Sequence, residues 1–290
     1  MIDTRRGWTR TSLMSEGIKN LKAVNIGDAG RNVEWILCEL LDCNRASLYA
    51  YPELAVPEDI CADFVSLLNR RMAHEPLQHI LGYTEFCGIR FSVTPDVLIP
   101  RPETELLVEH ATDFLRKQST PAVLDIGSGS GCIPVSIKHF NPQALVSSCD
   151  VSPPALLIAE ANAKAAGTAV SFFQCDILKE ELPLPNEQTF DLIVSNPPYI
   201  PITEYQVLDP EVLAFEPELA LNTGEDPMLF YRAIGHVAKR RLKPSGIIIF
   251  ETHCDYAHEV ATLLTNQGFS AAQVLKDLTG RDRFVKATSL

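Results

Sequence analysis

The sequence lacks several features that would each indicate a particular class of protein. No apolar run approaches the ~20 residues that a membrane-spanning helix needs, and there is no internal repeat or low-complexity tract. The eight cysteines include no Cys-x-x-Cys pair, so the sequence predicts no metal site and cysteines that stay reduced. Basic residues are outnumbered, 25 lysines and arginines against 37 aspartates and glutamates, which gives a net charge of −12. Since that balance disfavours wide contact with a phosphate backbone, we expect a cytoplasmic protein with no membrane and no direct nucleic-acid partner.

The 290 residues suffice for one large domain and one small one. Residues 1–14 carry three arginines and one acid without an amphipathic pattern, and we expect a disordered leader there rather than a targeting peptide. Apolar residues at helical spacing predict a small helical domain over residues 15–85. Residues 86–105 should form a hairpin around Gly88 and then a linker stiffened by prolines. The remaining residues, 106–290, should form the large domain.

Short apolar runs alternate with helical stretches through the large domain. This alternation is typical of an α/β fold with a mostly parallel sheet and helices on both faces. Two extended runs at the end, 269–275 and 283–288, have no helix between them and predict a terminal antiparallel hairpin. Strands are predicted at 122–126, 144–149, 170–175, 191–195 and 246–251, and helices at 132–140, 153–166 and 227–242.

The motif Ser195-Asn196-Pro197-Pro198-Tyr199 directly follows one of these apolar runs. Because proline cannot continue a strand, the chain must leave the sheet at Asn196, at the carboxyl end where open α/β sheets bind ligands. The Asn196 amide oxygen and the Pro197 carbonyl are two acceptors in a stiff frame, and Tyr199 adds an aromatic face. Such a group suits a flat substrate that carries an –NH2. For Pro-Pro alone, the default interpretation would be a plain strand that ends in a proline turn.

A glycine-rich loop follows the first strand of the large domain. Its glycines alternate as GxGxG, whereas dinucleotide-binding loops usually space them as GxGxxG. Asp125 closes the strand just before the glycines, so its carboxylate would lie near any phosphate that the loop held. A carboxylate at this position suits a cationic ligand instead, and the sulfonium and amino groups of S-adenosylmethionine qualify. The predicted cofactor contacts in this segment are Asp125, Ile126, Gly127, Ser128 and Gly129.

Polar residues also follow the next strands of the sheet. Asp150 lies about twenty residues beyond the loop, where an acid can accept from both ribose hydroxyls, although it could also cap the helix that follows. Asp176 is placed to accept from an adenine amino group, and Ile177 to pack on the ring. Together with Asp125 and Asn196, these residues form a series at four strand ends, which predicts a nucleoside-type cofactor.

The glycine loop, Asp150 and Asn-Pro-Pro-Tyr together resemble the class I S-adenosylmethionine-dependent methyltransferases that modify planar amino groups of nucleic acids and proteins. Residues 75–82 (Glu-Pro-Leu-Gln-His-Ile-Leu-Gly) and 98–105 (Leu-Ile-Pro-Arg-Pro-Glu-Thr-Glu) further resemble the linker signature of the PrmC/HemK family. The resemblance covers residues 30–288. Two departures are small: Ser128 stands where relatives often have threonine, and Ile177 where some have an aromatic residue.

The resemblance implies a class I, Rossmann-like methyltransferase fold with a small helical domain in front. It implies methylation of the N5 atom of the glutamine in the Gly-Gly-Gln motif of class I peptide chain release factors, with S-adenosylmethionine as methyl donor. Asn196, Pro197 and Tyr199 would then be catalytic, and Pro198 would join them in binding the substrate. Asn196 would also help to register the cofactor, and the helical domain would dock the release factor or merely cover the sheet.

Three other functions are compatible with parts of the sequence. A nucleic-acid amino methyltransferase acting on adenine or guanine would share Asn-Pro-Pro-Tyr, but it would normally need a basic recognition surface. A binding module that has lost its activity would not need the intact acids at the strand ends. A dehydrogenase that uses a dinucleotide is disfavoured by the spacing of the glycines.

Overall fold

The computed structural model describes residues 2–179, 181–270 and 272–290. The chain divides into two compact units between Gly82 and Tyr83. The helices of the first unit are α1 (Arg10–Ala23), α2 (Ala29–Leu40), α3 (Arg45–Ala50), α4 (Glu58–Met72) and α5 (Leu77–Leu81), preceded by a short 3-10 helix, Thr4–Arg6.

The helices of the first unit enclose one apolar core. In α2 the residues Val33, Ile36 and Leu37 are fully buried, at the spacing of one helix face. Phe64 of α4 packs into the same core. Helix α4 follows Pro57, whose fixed φ suits the start of a helix.

The first fourteen residues differ from the disordered leader expected from the sequence. Trp8 is buried, and its indole N–H donates to the Asp3 carbonyl at 2.7 Å. Thr9 caps α1 through a reciprocal hydrogen bond with Ser12, and Leu13 is fully buried. The stretch is ordered because a few widely spaced apolar side chains turn into the core while the arginines face outward, a pattern too sparse to register as an amphipathic helix.

The second unit begins with an antiparallel hairpin and then builds one large sheet. The hairpin turns at Gly88 as expected but begins at Tyr83, before the expected 86–105 segment, and helix α6 begins inside the expected linker, at Thr104. The strands are β1 (Tyr83–Phe86), β2 (Ile89–Ser92), β3 (Ala122–Ile126), β4 (Leu145–Asp150), β5 (Val170–Gln174), β6 (Phe190–Ser195), β7 (Leu242–Glu251), β8 (Gln273–Lys276) and β9 (Asp282–Thr288). The helices are α6 (Thr104–Leu115), α7 (Cys132–Phe140), α8 (Pro153–Ala165), α9 (Ile202–Tyr205), α10 (Pro210–Phe215), α11 (Leu229–Arg241) and α12 (Ala257–Asn266).

The large sheet has the order β5-β4-β3-β6-β7-β9-β8. Strands β3 to β7 pair in parallel, and β9 is antiparallel to both β7 and β8, which confirms the mostly parallel sheet with a terminal hairpin. The order reverses at β3, whose neighbours are β4 and β6. Such a reversal opens a crevice at the carboxyl ends of the strands.

Two apolar cores cover the two faces of the sheet. Along β6, Leu192 and Val194 belong to one core and Ile193 to the other, and all three are fully buried. This alternation is the period-2 geometry of a strand buried on both faces. Among the residues described, the structure contains no helix long and apolar enough to cross a membrane.

We expect Trp8→Ala to lower the free energy of unfolding of the first unit by about 3–5 kcal/mol, because it removes a large buried ring and leaves a cavity. Urea unfolding followed by far-UV circular dichroism measures the effect. Tyr51→Ala is the matched control, since Tyr51 is 58% exposed and its loss should change stability by no more than about 0.5 kcal/mol. Equal stabilities of the two variants would show that the first residues do not contribute to the core.

Candidate active site

A cleft lies at the carboxyl ends of β3, β4, β5 and β6, and it gathers ten of the twelve residues that the sequence predicts for the site. The other two, Asp125 and Tyr199, lie outside its wall. The ten are Ile126, Gly127, Ser128, Gly129, Asp150, Asp176, Ile177, Asn196, Pro197 and Pro198.

The glycine loop after β3 uses its N–H groups within the protein. The N–H groups of Gly127 and Ser128 both donate to the Cys149 carbonyl, at 2.8 and 3.0 Å, and that of Gly129 donates to Asp150 Oδ2 at 2.8 Å. Gly127 has φ = +90°, a conformation that glycine adopts without strain. A phosphate-binding loop directs such N–H groups at its ligand. This loop therefore does not have the arrangement of a diphosphate cradle.

Asp150 presents its carboxylate to the cleft at the end of β4. Its Oδ1 accepts from the Ser152 N–H at 2.9 Å, and burial raises its pKa although the backbone N–H groups around it favour the charged form. A carboxylate has about four acceptor positions, so it retains capacity for further donors. The cap of α8 is Ser152, whose hydroxyl accepts from Ala155 N–H at 3.3 Å. Asp150 itself is not the helix cap that remained an alternative in the sequence.

Asp125 lies beneath the loop rather than in the cleft wall. It is fully buried, and the Ser148 hydroxyl donates to its Oδ2 at 2.6 Å. Ser148 Oγ is in turn 2.6 Å from Ser128 Oγ, which links Asp125 to the loop. Its Oδ1 has no hydrogen-bond partner within the described part of the chain. Burial raises the pKa of Asp125 to about 8, and its place supports a role under the loop rather than the direct cofactor contact expected from the sequence.

Asp176 and Ile177 form the side of the cleft at the end of β5. Asp176 Oδ1 accepts from Leu178 N–H at 3.0 Å, and Lys179 Nζ lies 2.8 Å from Oδ2 and lowers the pKa of this carboxyl. Ile177 packs on the core below. Phe230 and Ile234 of α11 extend this apolar wall, and sequence reasoning did not find them, because helical residues of this kind read as ordinary core.

The Asn-Pro-Pro-Tyr segment leaves β6 at the rim of the cleft. The Ser195 hydroxyl donates to the Ile126 carbonyl at 2.5 Å and ties the ends of β6 and β3 together. Asn196 is half-buried, and its Nδ2 donates to Thr104 Oγ1 at 3.3 Å. The Tyr199 ring lies 6.1 Å from that of His253, and burial raises its pKa to about 12. Tyr199 is not among the residues that line the cleft, and its ring packs against the apolar core on one face of the sheet.

A partly buried ion pair joins two segments that border the cleft. Arg101 Nη2 lies 2.6 Å from Glu216 Oε1, and Glu216 Oε2 accepts from Ile99 N–H at 3.2 Å. Arg101 and Pro217 both line the cleft. The pair fixes the proline-rich segment before α6 against the chain that follows Asn-Pro-Pro-Tyr. The segment with Arg101 carries part of the linker signature on which the family resemblance rests, but sequence spacing could not show that it meets the segment with Glu216.

The sheet order and the strand-end cleft define a class I S-adenosylmethionine-dependent methyltransferase. Residues 12–82 match the model of the PrmC N-terminal domain, and residues 102–209 match the methyltransferase small domain. A 16S rRNA N2 G1207 methyltransferase from T. thermophilus shares the fold with a TM-score of 0.51 at 21% identity, over 72% of this chain and 50% of that one.

Two proteins named release factor glutamine methyltransferase align along almost their whole length. The one from Geobacter sulfurreducens is 40% identical over 96% of this chain and 93% of its own. The one from Bacteroides thetaiotaomicron is 36% identical over 87% of this chain and 90% of its own. The chain belongs to the family of release factor glutamine methyltransferases.

The raised pKa of Asp125 predicts a pH-dependent component of stability. Because the pKa is about 8 in the folded state, whereas the ordinary pKa of an aspartate is 3.8, the contribution of this group is full below about pH 3.8 and is lost as the pH rises to about 8. We expect Asp125→Asn, which keeps an acceptor for Ser148, to remove this component. Its free energy of unfolding should fall less between pH 5 and pH 8 than that of the wild type.

Urea unfolding at several pH values measures how the free energy of unfolding depends on pH in the wild type and in Asp125→Asn. Asp113→Asn, a change at an exposed carboxyl on α6, is the control and should leave the slope of the wild type unchanged. If the free energy of unfolding changed equally with pH in the wild type and in Asp125→Asn, the raised pKa assigned to Asp125 would be contradicted.

Proposed function

We propose that the protein transfers the methyl group of S-adenosylmethionine to the N5 atom of the glutamine in the Gly-Gly-Gln motif of class I peptide chain release factors. The observation that carries the proposal is the position of Asn196 and Pro197 at the end of β6, on the wall of the same cleft as the glycine loop and Asp150. Membership in the release factor glutamine methyltransferase family supports the choice of acceptor.

The cleft suits a nucleoside with a charged tail. Asp150 offers carboxylate oxygens for two ribose hydroxyls, and Ile177 and Phe230 offer apolar faces for a base. The N–H groups of the glycine loop are already bonded inside the protein, so the loop contributes close approach and shape rather than anion binding. When bound, S-adenosylmethionine supplies an electrophilic methyl group on a sulfonium.

Asn196 and Pro197 would act on the acceptor by orientation. A neutral amide nitrogen is a poor nucleophile because its lone pair is delocalised into the carbonyl. The Asn196 Oδ1 and the Pro197 carbonyl would accept the two N–H bonds of the glutamine, hold its nitrogen in line with the methyl group and favour the positive charge that develops there. The nitrogen–methyl bond forms as the carbon–sulfur bond breaks, and the nitrogen then gives up a proton to water.

The choice of residue at 196 follows from the same hydrogen bonds. An aspartate would add a charge that a neutral amide does not need, and an alanine would leave one N–H of the substrate unpaired in the cleft. Proline at 197 has no backbone N–H. This residue would therefore offer the substrate amide only an acceptor, its carbonyl, and no donor.

The first unit is the proposed docking module for the release factor. Its segment 49–54 exposes three large apolar side chains, with Tyr49, Tyr51 and Leu54 each 49–58% accessible. A cluster of this kind on a surface is typical of a protein–protein contact. Since the acceptor would be a translation factor, we also place the activity in the cytoplasm.

Labelled S-adenosylmethionine should transfer its methyl group to unmodified release factor and not to ribosomal RNA or DNA. With Asn196→Ala the rate should fall by about a hundredfold or more, as it does when one oriented hydrogen-bond partner is removed from an active site, while the Kd for S-adenosylmethionine changes little. Filter assays measure the label, and calorimetry measures the Kd.

A release factor with glutamic acid in place of the Gly-Gly-Gln glutamine controls for the acceptor atom and should take up no label. Label in nucleic acid alone would favour the amino methyltransferase of DNA or RNA. An Asn196→Ala variant as fast as the wild type would remove Asn196 from the mechanism.

Tyr51→Ser combined with Leu54→Ser should raise the KM for intact release factor by about three- to tenfold with kcat unchanged, because peripheral contacts contribute to binding and not to the chemical step. A short peptide with the Gly-Gly-Gln motif is the matched control, and its kcat/KM should be the same for both proteins. An unchanged KM for the intact factor would assign the patch no part in docking.

A further inference from the structure

Three polar side chains from three separate elements meet at the cleft, which Thr104 and Asn196 line. Thr104 is the first residue of α6, Glu251 is the last residue of β7, and Asn196 follows β6. The Thr104 hydroxyl donates to Glu251 Oε2 at 2.7 Å, and Asn196 Nδ2 donates to Thr104 Oγ1 at 3.3 Å. Thr104 and Glu251 are each 2% exposed. Their hydrogen bonds are therefore shielded from competing water.

The direction of these hydrogen bonds is set by the number of protons. A carboxylate can only accept, and a hydroxyl has a single proton. While Glu251 is ionised, the Thr104 proton is committed to Glu251, and only oxygen lone pairs face Asn196. Those lone pairs can bind the NH2 end of the Asn196 carboxamide but not its oxygen. The carboxamide must therefore direct Nδ2 toward Thr104 and Oδ1 away from it.

This orientation matters because the two ends of a carboxamide are nearly the same size. Without a fixed partner, the side chain of Asn196 could turn over and present its NH2 group where an acceptor is required. A donor would then oppose the NH2 of the substrate amide, which carries no acceptor on that nitrogen. The hydrogen bond to Asn196 thus decides whether its carboxamide presents an oxygen that can accept from the substrate or an NH2 group that cannot.

We propose that Glu251 and Thr104 form a relay that holds the Asn196 carboxamide with its oxygen available to the substrate, and that both are positioning residues for methyl transfer. The inference rests on the acceptor role of Asn196 in the proposed function. It assigns no substrate contact to Glu251 or Thr104, since both act through Asn196.

The surroundings of Glu251 make the relay sensitive to pH. Burial raises its pKa to about 7, although the Thr104 and Asn196 hydrogen bonds and the Arg283 charge favour ionisation. Once Glu251 is protonated, it can donate to Thr104 Oγ1 and release the Thr104 proton toward Asn196. Several groups surround Glu251: Glu103 just before α6, Thr104 of α6, Cys132 of α7, Tyr231 of α11, Arg283 of β9, and Asn196 and Tyr199 after β6.

The first test compares Thr104→Val with Thr104→Ser. Valine keeps the shape but has no hydroxyl, and we expect kcat to fall by about tenfold or more, as for the loss of a buried hydrogen bond, with the KM for release factor within about twofold. Serine keeps the hydroxyl and should restore kcat to within about threefold of the wild type. Thermal melting and the Kd for S-adenosylmethionine should be similar for both variants, which separates positioning from folding.

The second test uses Glu251→Gln. Glutamine can donate as well as accept, so it does not fix the direction of the Thr104 proton. The wild type should lose kcat as the pH falls through about 7, the pKa of Glu251, whereas the variant should be slower at pH 8 and lack this acid limb. A variant with the rate and pH profile of the wild type would overturn the relay.

A third measurement does not depend on catalysis. The side-chain amide signals of Asn196 in a 1H–15N spectrum can be assigned by their loss in Asn196→Ala. In the wild type they should shift with the ionisation of Glu251. The shift should persist in Thr104→Ser, become smaller in Thr104→Val and disappear in Glu251→Gln. If the Asn196 amide signals of the wild type did not change with pH, the proposal would be contradicted even if a variant failed to fold.

Failure of the relay and failure of the proposed function would give different results. If the wild type does not methylate release factor but the Asn196 signals follow Glu251, the proposed function is wrong and the relay stands. If the wild type methylates release factor and Thr104→Val matches it in kcat and in the amide spectrum, the relay is wrong and the proposed function stands.

Discussion

The parallel pairing of β3 with both β4 and β6 is the constraint on which the site depends. Because the sheet order reverses at β3, the loops after β3 and β6 diverge to opposite faces and leave a crevice between them. Every polar group that the sequence places at a strand end is thereby brought to one edge of the sheet. The register then fixes which ends are adjacent, with Asp125 beside Val194 and Ile126 beside Cys149. The chemistry of the cleft follows from this backbone arrangement before any side chain is considered.

The same arrangement forces the protein to satisfy polar atoms in the interior. β3 is covered on both faces, so water cannot serve the groups at its end, and hydrogen bonds from neighbouring strands must replace it. The Ser148 hydroxyl donates to Asp125 and the Ser195 hydroxyl to the Ile126 carbonyl. At the end of β7 the Thr104 hydroxyl of α6 donates to the buried Glu251 in the same way. Each bond also joins two elements that border the cleft, so the groups that compensate for burial hold the site in shape.

Much of the second unit could be predicted from apolar periodicity. The bounds of β3 (Ala122–Ile126) and α7 (Cys132–Phe140) agree with the sequence expectation to the residue, because a glycine turn separates two patterns of different period. Helix α6 was missed although Leu107, Ala111 and Leu115 lie four residues apart and are buried. The ordered start of the first unit was missed because its apolar residues are few, and their burial depends on tertiary packing that no local pattern contains.

The residue types of the site could be predicted from the sequence, but the depth at which each residue is buried could not. Acids lie at or just beyond the ends of four strands and look alike in the sequence, yet their environments differ. Asp125 lies one residue before the end of β3 and is fully buried, Asp150 ends β4 and faces the cleft, and Asp176 follows the edge strand β5 and pairs with an exposed lysine. Glu251 ends β7, where the antiparallel β9 and the start of α6 cover it. Distance from the sheet edge and the elements packed above each end decide whether an acid binds a ligand, supports a loop or orients a neighbour, and both are properties of topology that a strand-end motif does not encode.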